Sequence, residues 1–184
     1  MRKALIILAS SNPQGLGHKT VFKNLRYILL KSDIEYTVVD LYREGFDPMV
    51  NKDIVGDMLT KAYMHYVKTS TEIHIITNSH LGGMSPAIEG FFERIIKNDF
   101  AYSRVGTNRK SRLKSKDVYF YISSTTKRFK YNLLYLRLKL IVGKLFKTST
   151  VFQLDPKTIF DKGKREYNLY LSNLIRKSLN KNRS

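Results

Sequence analysis

Apolar residues along this chain alternate between two rhythms. Short continuous runs come first: Ala4–Ala9, Glu35–Tyr42, Glu72–Thr77, Asp117–Ile122 and Ser149–Leu154. Their length and β-branched or aromatic content predict buried strands. Between them apolar residues recur every three or four positions, as at Val21, Phe22, Leu25, Ile28 and Leu29. That spacing predicts helices over Thr20–Lys31, Lys52–Lys68, Ser85–Lys97, Asn132–Phe146 and Lys162–Leu179. Asn98–Ser115 is polar and basic and reads as one long connection, and Asn180–Ser184 as a frayed tail. Strictly alternating strands and helices predict an α/β fold, a doubly wound five-stranded parallel sheet with helices on both faces. With 184 residues and no internal repeat, residues 1–184 are expected to form a single domain.

Composition changes this picture in two respects. No cysteine is present, which excludes disulfides, thiolate nucleophiles, cysteine-based zinc sites and iron–sulfur clusters. Formal net charge is +18, and the excess is uneven. Residues 1–96 carry 11 Lys/Arg against 10 Asp/Glu, whereas residues 97–147 carry 14 against 2. A basic stretch of that kind attracts nucleic acid, a membrane surface or an acidic partner, or is simply a solvated face. The apolar run after Met1-Arg2-Lys3 is too short for a signal-peptide core, and no run approaches the length of a membrane span. A cytoplasmic location is the expectation.

Candidate chemistry lies in the turns after the first, third and fourth strands, which share the carboxyl edge of a doubly wound sheet. The first, Ser10–His18, is rich in small residues and opens a helix, where backbone N–H groups and the helix dipole favour a phosphate. It matches neither a Walker A loop nor the complete dinucleotide fingerprint, and a structural tight turn explains it about as well. The second, Asn78–Gly83, has two glycines that let backbone approach a flat ring. The third, Ser123–Thr126, offers hydroxyls and amides.

Three motifs in order carry a resemblance. Asp40-Leu41-Tyr42 with Phe46-Asp47-Pro48 resembles the signature after strand two in the NAD(P)H:quinone oxidoreductase family, flavoproteins of flavodoxin-like fold. Gly82-Gly83-Met84-Ser85-Pro86-Ala87-Ile88-Glu89-Gly90-Phe91-Phe92-Glu93-Arg94 resembles that family's Gly-Gly-Met-Pro-Ala stretch, its proline displaced by one place. The Ser10–Thr20 loop is similar to the family's phosphate turn, and the match covers about the first hundred residues. The resemblance implies a non-covalent flavin, FMN or FAD, reduced by NAD(P)H and passing two electrons to a quinone or similar acceptor. It places Ser10, Gly15, Leu16 and Gly17 around the phosphate, and Ser79, His80, Leu81 and Gly82 along the isoalloxazine. Ser123, Ser124 and Thr125 would close the other side. It also implies a homodimer whose partner chain completes the pocket.

The chain departs from that pattern where His80-Leu81 replace a pair of aromatic residues, commonly Trp-Trp; the chain has no Trp. Asn78 replaces a proline, and Ser-Thr residues replace a Gly-Gly pair after the fourth strand. A second reading follows, a flavodoxin-like binding or regulatory module without turnover that uses its basic face. His80, titrating near neutrality, is the catalytic candidate as a proton relay, beside the plainer reading of a surface histidine. His18, His65 and His74 read as structural or solvated, and no spacing among the four suggests a metal site. Asp40, placed like the acidic ribose reader of dinucleotide folds, is expected to be structural.

Overall fold

The computed structural model describes residues 2–10, 15–49, 58–79, 83–97, 101–105, 108–123, 136, 138, 140, 142–143, 145–154 and 156–180. Five parallel strands form the central sheet: β1 (Lys3–Ala9), β2 (Glu35–Asp40), β3 (Glu72–Asn78), β6 (Asp117–Ser123) and β7 (Thr148–Leu154). Their order is β2-β1-β3-β6-β7, so the chain moves outward from β1 to β2 and then crosses to β1's other side. In open α/β sheets ligands bind beside such a reversal, at the carboxyl ends of the strands. The doubly wound sheet predicted from the apolar runs is therefore present.

Because successive side chains of a strand point to opposite faces, each strand feeds two cores. Leu5, Ile7, Ile73, Ile75, Val118 and Phe120 meet α2 (Met58–Thr69), α3 (Pro86–Lys97) and the helical residues Leu138, Val142 and Leu145. Ala4, Ile6, Ile76, Tyr119 and Tyr121 pack beneath α1 (Leu16–Lys31) and α4 (Pro156–Asn180). Asn24 of α1 fixes those two helices to each other, donating to Asn168 Oδ1 (3.0 Å) and accepting from Ser172 Oγ (3.1 Å).

Three boundaries differ from the sequence expectation. α1 begins at Leu16, not Thr20, so Gly17, which reads as loop, lies inside the helix. α4 begins at Pro156, not Lys162: proline lacks an N–H that a first helical position would leave unpaired, so it suits a helix start. The supposed long connection contains an antiparallel hairpin, β4 (Tyr102–Val105) and β5 (Asn108–Ser111), closed by Arg112 N–H to Ala101 O at 2.9 Å. Residues 52–57 of the second predicted helix lie outside the described residues.

Part of the basic second half is used internally. Lys116, buried, donates to the carbonyls of Lys68 (2.9 Å) and Ser70, just where α2 ends. Lys114 donates to Gly143 O (2.9 Å), and Ser111 Oγ to Leu145 O (2.6 Å). A cation at a helix C-terminus meets both the orphan carbonyls and the negative end of the dipole. Burial holds the Lys116 ammonium below its usual pKa.

Candidate functional site

The ends of β1, β3 and β6 are tied together by polar side chains and backbone. Asn78 Nδ2 donates to Ser10 Oγ at 2.8 Å, and Ser10 is buried. Asn78 stands opposite Ser123 in the sheet register, and Ser79 N–H donates to Ser123 O at 3.0 Å. Thr77, on the other face, donates to Ala9 O at 2.8 Å and lies 3.1 Å from Ser85 Oγ. Ser85 in turn accepts from Ile88 N–H and Glu89 N–H, so its backbone carbonyl starts the first turn of α3. The carboxyl edge therefore carries two helix starts, one on each face of the sheet.

α1 is the better anion site of the two. Gly15 precedes it with no side-chain capping hydrogen bond, and its first turn contains no acidic residue. The first N–H groups of a helix have no partner within the helix and are the groups that can meet an anion. Four residues separate Ser10, at the end of β1, from Gly15, which precedes α1. By contrast α3 has Glu89 in its first turn, which opposes a second negative charge. Ser10, Asn78, Ser79 and Ser123 are all neutral and offer hydrogen-bonding groups that carry no negative charge. This donor set suits the phosphate and polar ring edge of a flavin mononucleotide.

Sequence-predicted residues divide accordingly. Ser10, Gly15, Ser79 and Ser123 are described and stand at the carboxyl edge. Leu16 and Gly17 form the first helical residues of α1. His80, Leu81, Gly82, Ser124 and Thr125 lie outside the described residues. Asn78, read from sequence as a departure, turns out to be the residue that fixes Ser10. Period-two alternation along β3 was the available signal, since it puts Asn78 on the face of His74 and Ile76.

Two of the recognised motifs are joined to each other. Gly90 of α3 faces the Asp47–Pro48 turn so closely that an added Cβ would sit 2.7 Å from Pro48 Cα. One turn on, the buried Arg94 donates to the carbonyls of Asp47 and of Met49 (3.1 Å), its guanidinium 4.3 Å above the Phe46 ring. Gly90 and Arg94 thus hold the link after β2 against α3. Asp40 accepts from Arg43 N–H at 3.2 Å and shapes the turn after β2, the structural role expected of it.

Perturbed ionisation lies elsewhere. At the opposite edge, Glu72 pairs with Arg2 (2.6 Å) and stands 3.7 Å from His74 Nε2. Burial alone would raise the Glu72 pKa, but the His74 ring and the Arg2 guanidinium outweigh it and bring it below the usual value. His74, fully buried, stacks on Tyr119 at 4.9 Å, and its Nδ1 lies 3.3 Å from the Tyr121 hydroxyl. Burial pushes the Tyr119 phenol up, reinforced by the charges of Asp117 and Glu72.

Comparison with known proteins agrees with this architecture. Residues 2–137 match the model of a family described as flavodoxin-like fold. No curated protein matches the sequence. Among solved structures, Smu.1420 from Streptococcus mutans is 20% identical with a TM-score of 0.78, covering 95% of this chain and 99% of its own. An NAD(P)H:quinone oxidoreductase from Methanothermobacter marburgensis is 15% identical with a TM-score of 0.77, covering 95% and 98%. An FMN-dependent NADH-azoreductase from Bacillus anthracis, in complex with FMN, is 16% identical with a TM-score of 0.67, covering 95% and 100%. At such identities the likeness is one of fold.

Proposed function

From the flavodoxin-like fold family, to which this chain belongs, we propose a flavin-dependent NAD(P)H oxidoreductase that passes two electrons to a quinone or similar small acceptor. The observation that carries this reading is the joined rim. Asn78 holds Ser10, Ser79 holds Ser123, and α1, the helix that follows β1, starts without an acidic residue in its first turn. FMN is the preferred cofactor, because the FMN-dependent azoreductase of this fold is in complex with FMN. Bound there, the flavin supplies the hydride chemistry, which belongs to the cofactor.

The chain's own residues bind and orient. Ser10 Oγ and the first N–H groups of α1 would take the phosphate. Asn78 keeps the Ser10 hydroxyl in place, so its position is set before any ligand arrives; such preorganisation lowers the ordering cost of binding. Ser79 and Ser123, fixed to each other across the register, would border the ring. His80 is the residue assigned to proton movement at the acceptor, in the segment that follows Ser79.

Purified protein supplied with FMN should be yellow and should bleach anaerobically on adding NADH or NADPH. A yellow preparation that neither nicotinamide bleaches supports the module without turnover. A preparation that stays colourless after FMN is supplied overturns the flavin assignment altogether.

A further inference from the structure

We propose that Tyr121 is a redox-active tyrosine, which gives up one electron while its phenolic proton crosses to His74 and is restored when both return. Three buried groups stand in line on the α1 and α4 face of the sheet. The Tyr121 hydroxyl lies 3.3 Å from His74 Nδ1, and His74 Nε2 lies 3.7 Å from Glu72 Oε1. Tyr121 and His74 have no exposure, and Glu72 is buried beside them. The proposal does not depend on flavin binding, and its test does not use oxidoreductase activity.

The carboxylate sets the direction of these contacts. Against the effect of burial, His74 and Arg2, the latter at 2.6 Å, keep Glu72 ionised, so its oxygens only accept. A neutral imidazole has one donor and one acceptor nitrogen. With Nε2–H turned to Glu72, Nδ1 keeps its lone pair and the Tyr121 hydroxyl donates to it. A buried phenol that loses only an electron becomes an unsolvated cation, which is costly. Passing its proton to Nδ1 leaves a neutral phenoxyl, and the imidazolium forms beside a carboxylate already in place.

Electrons and protons balance. The oxidant is a one-electron acceptor of the free-radical class, which leaves as its reduced anion. The Tyr121 O–H bond breaks and an N–H bond forms at His74 Nδ1. A one-electron reductant such as ascorbate returns the electron, and the proton retraces its path. Phe152, partly exposed on the edge strand β7, stacks on Tyr121 at 5.3 Å, so an oxidant at that edge is one aromatic ring away. Tyr119 stacks on His74 at 4.9 Å and packs the imidazole. Burial and the charges of Asp117 and Glu72 hold its own proton in place.

The experiment oxidises the full chain with photogenerated ruthenium(III) tris-bipyridine, standing in for the radical, and reads electron paramagnetic resonance after freeze-quenching. The chain has 12 tyrosines, so variants assign the signal. Wild type should give a tyrosyl radical that outlasts those of exposed tyrosines. Tyr121→Phe, folded by circular dichroism, should lose it, whereas Tyr119→Phe should keep it. His74→Gln, which can accept a hydrogen bond but not hold a proton, should also lose it. High-field spectra of the wild type need no variant: they should show the lowered principal g value of a phenoxyl oxygen with a proton held beside it. Glu72→Gln should shorten the radical's lifetime, because the imidazolium loses its counter-charge. A persistent radical that is unchanged in Tyr121→Phe or in His74→Gln overturns the proposal. So does a wild type with no persistent radical, or one whose g value is that of a free phenoxyl. An unchanged lifetime in Glu72→Gln overturns the part given to the carboxylate.

Discussion

The two faces of the sheet are built from the same strands and follow opposite rules. On the face of α2 and α3, Leu5, Ile7, Ile73, Ile75, Val118 and Phe120 make a dry aliphatic and aromatic core. On the face of α1 and α4, β3 contributes Glu72, His74, Ile76 and Asn78, beside Tyr119 and Tyr121 of β6. The buried Glu72 carboxylate, paired with the partly exposed Arg2, therefore sits at one end of that column, and the Asn78 amide that holds Ser10 at the other. The first face draws its stability from area removed from water, which is indifferent to pH. The second is coupled to protonation, because its charges must be kept ionised inside the protein.

The comparison can be broken most forcefully on the dry face. Phe120→Ala removes a ring with no exposure and should cost about 4 kcal/mol in urea denaturation, equally at neutral and acid pH. A pH-dependent loss would show that the two faces are not separable.

The next effect belongs to the ionised column. Glu72→Gln should cost about 3 kcal/mol at neutral pH, since it leaves Arg2 and His74 without their carboxylate. Glu72 has a lower pKa folded than its usual 4.5. Its contribution is thus full above that value and disappears as pH falls through the lower, folded one. The gap between the wild type and Glu72→Gln should therefore close on acidification. A gap that stays constant through the acid range would mean the carboxylate is not charged in the native state.

The smallest effect sharpens the contrast at the rim. Asn78→Ala should cost about 1 kcal/mol of stability, the worth of one hydrogen bond, and weaken FMN binding by about fivefold through a less ordered Ser10. Fluorescence titration of FMN against both proteins reads the second number. If affinity is unchanged, the Asn78–Ser10 contact is purely structural.

Sequence patterning and structure agree where burial is symmetrical. The five strands are legible because a parallel strand covered on both faces is a continuous apolar run. The hairpin β4–β5 was not legible, since four-residue strands with Arg104 opposite Arg109 carry no apolar alternation. The start of α1 was hidden by Gly15 and Gly17, which read as loop, and that of α4 by overlooking Pro156 as a first helical residue. At the site, Ser10, Ser79 and Ser123 could be placed from chain order alone. The Asn78–Ser10 bond could not, because it depends on which β3 residue lies beside the end of β1. The pairing of Gly90 and Arg94 with residues 47–49 was visible only as two separate motifs.

Lys116 has a use beyond its capping of α2. Its amine is withdrawn onto two carbonyls at the foot of the sheet, while most of the other lysines among the described residues lie open to solvent. An acylating reagent added at low dose would mark those others at once and reach this one only when the foot of the sheet comes apart. Mass mapping of that single acyl group over time would turn the residue into a clock for local opening, with no mutation introduced.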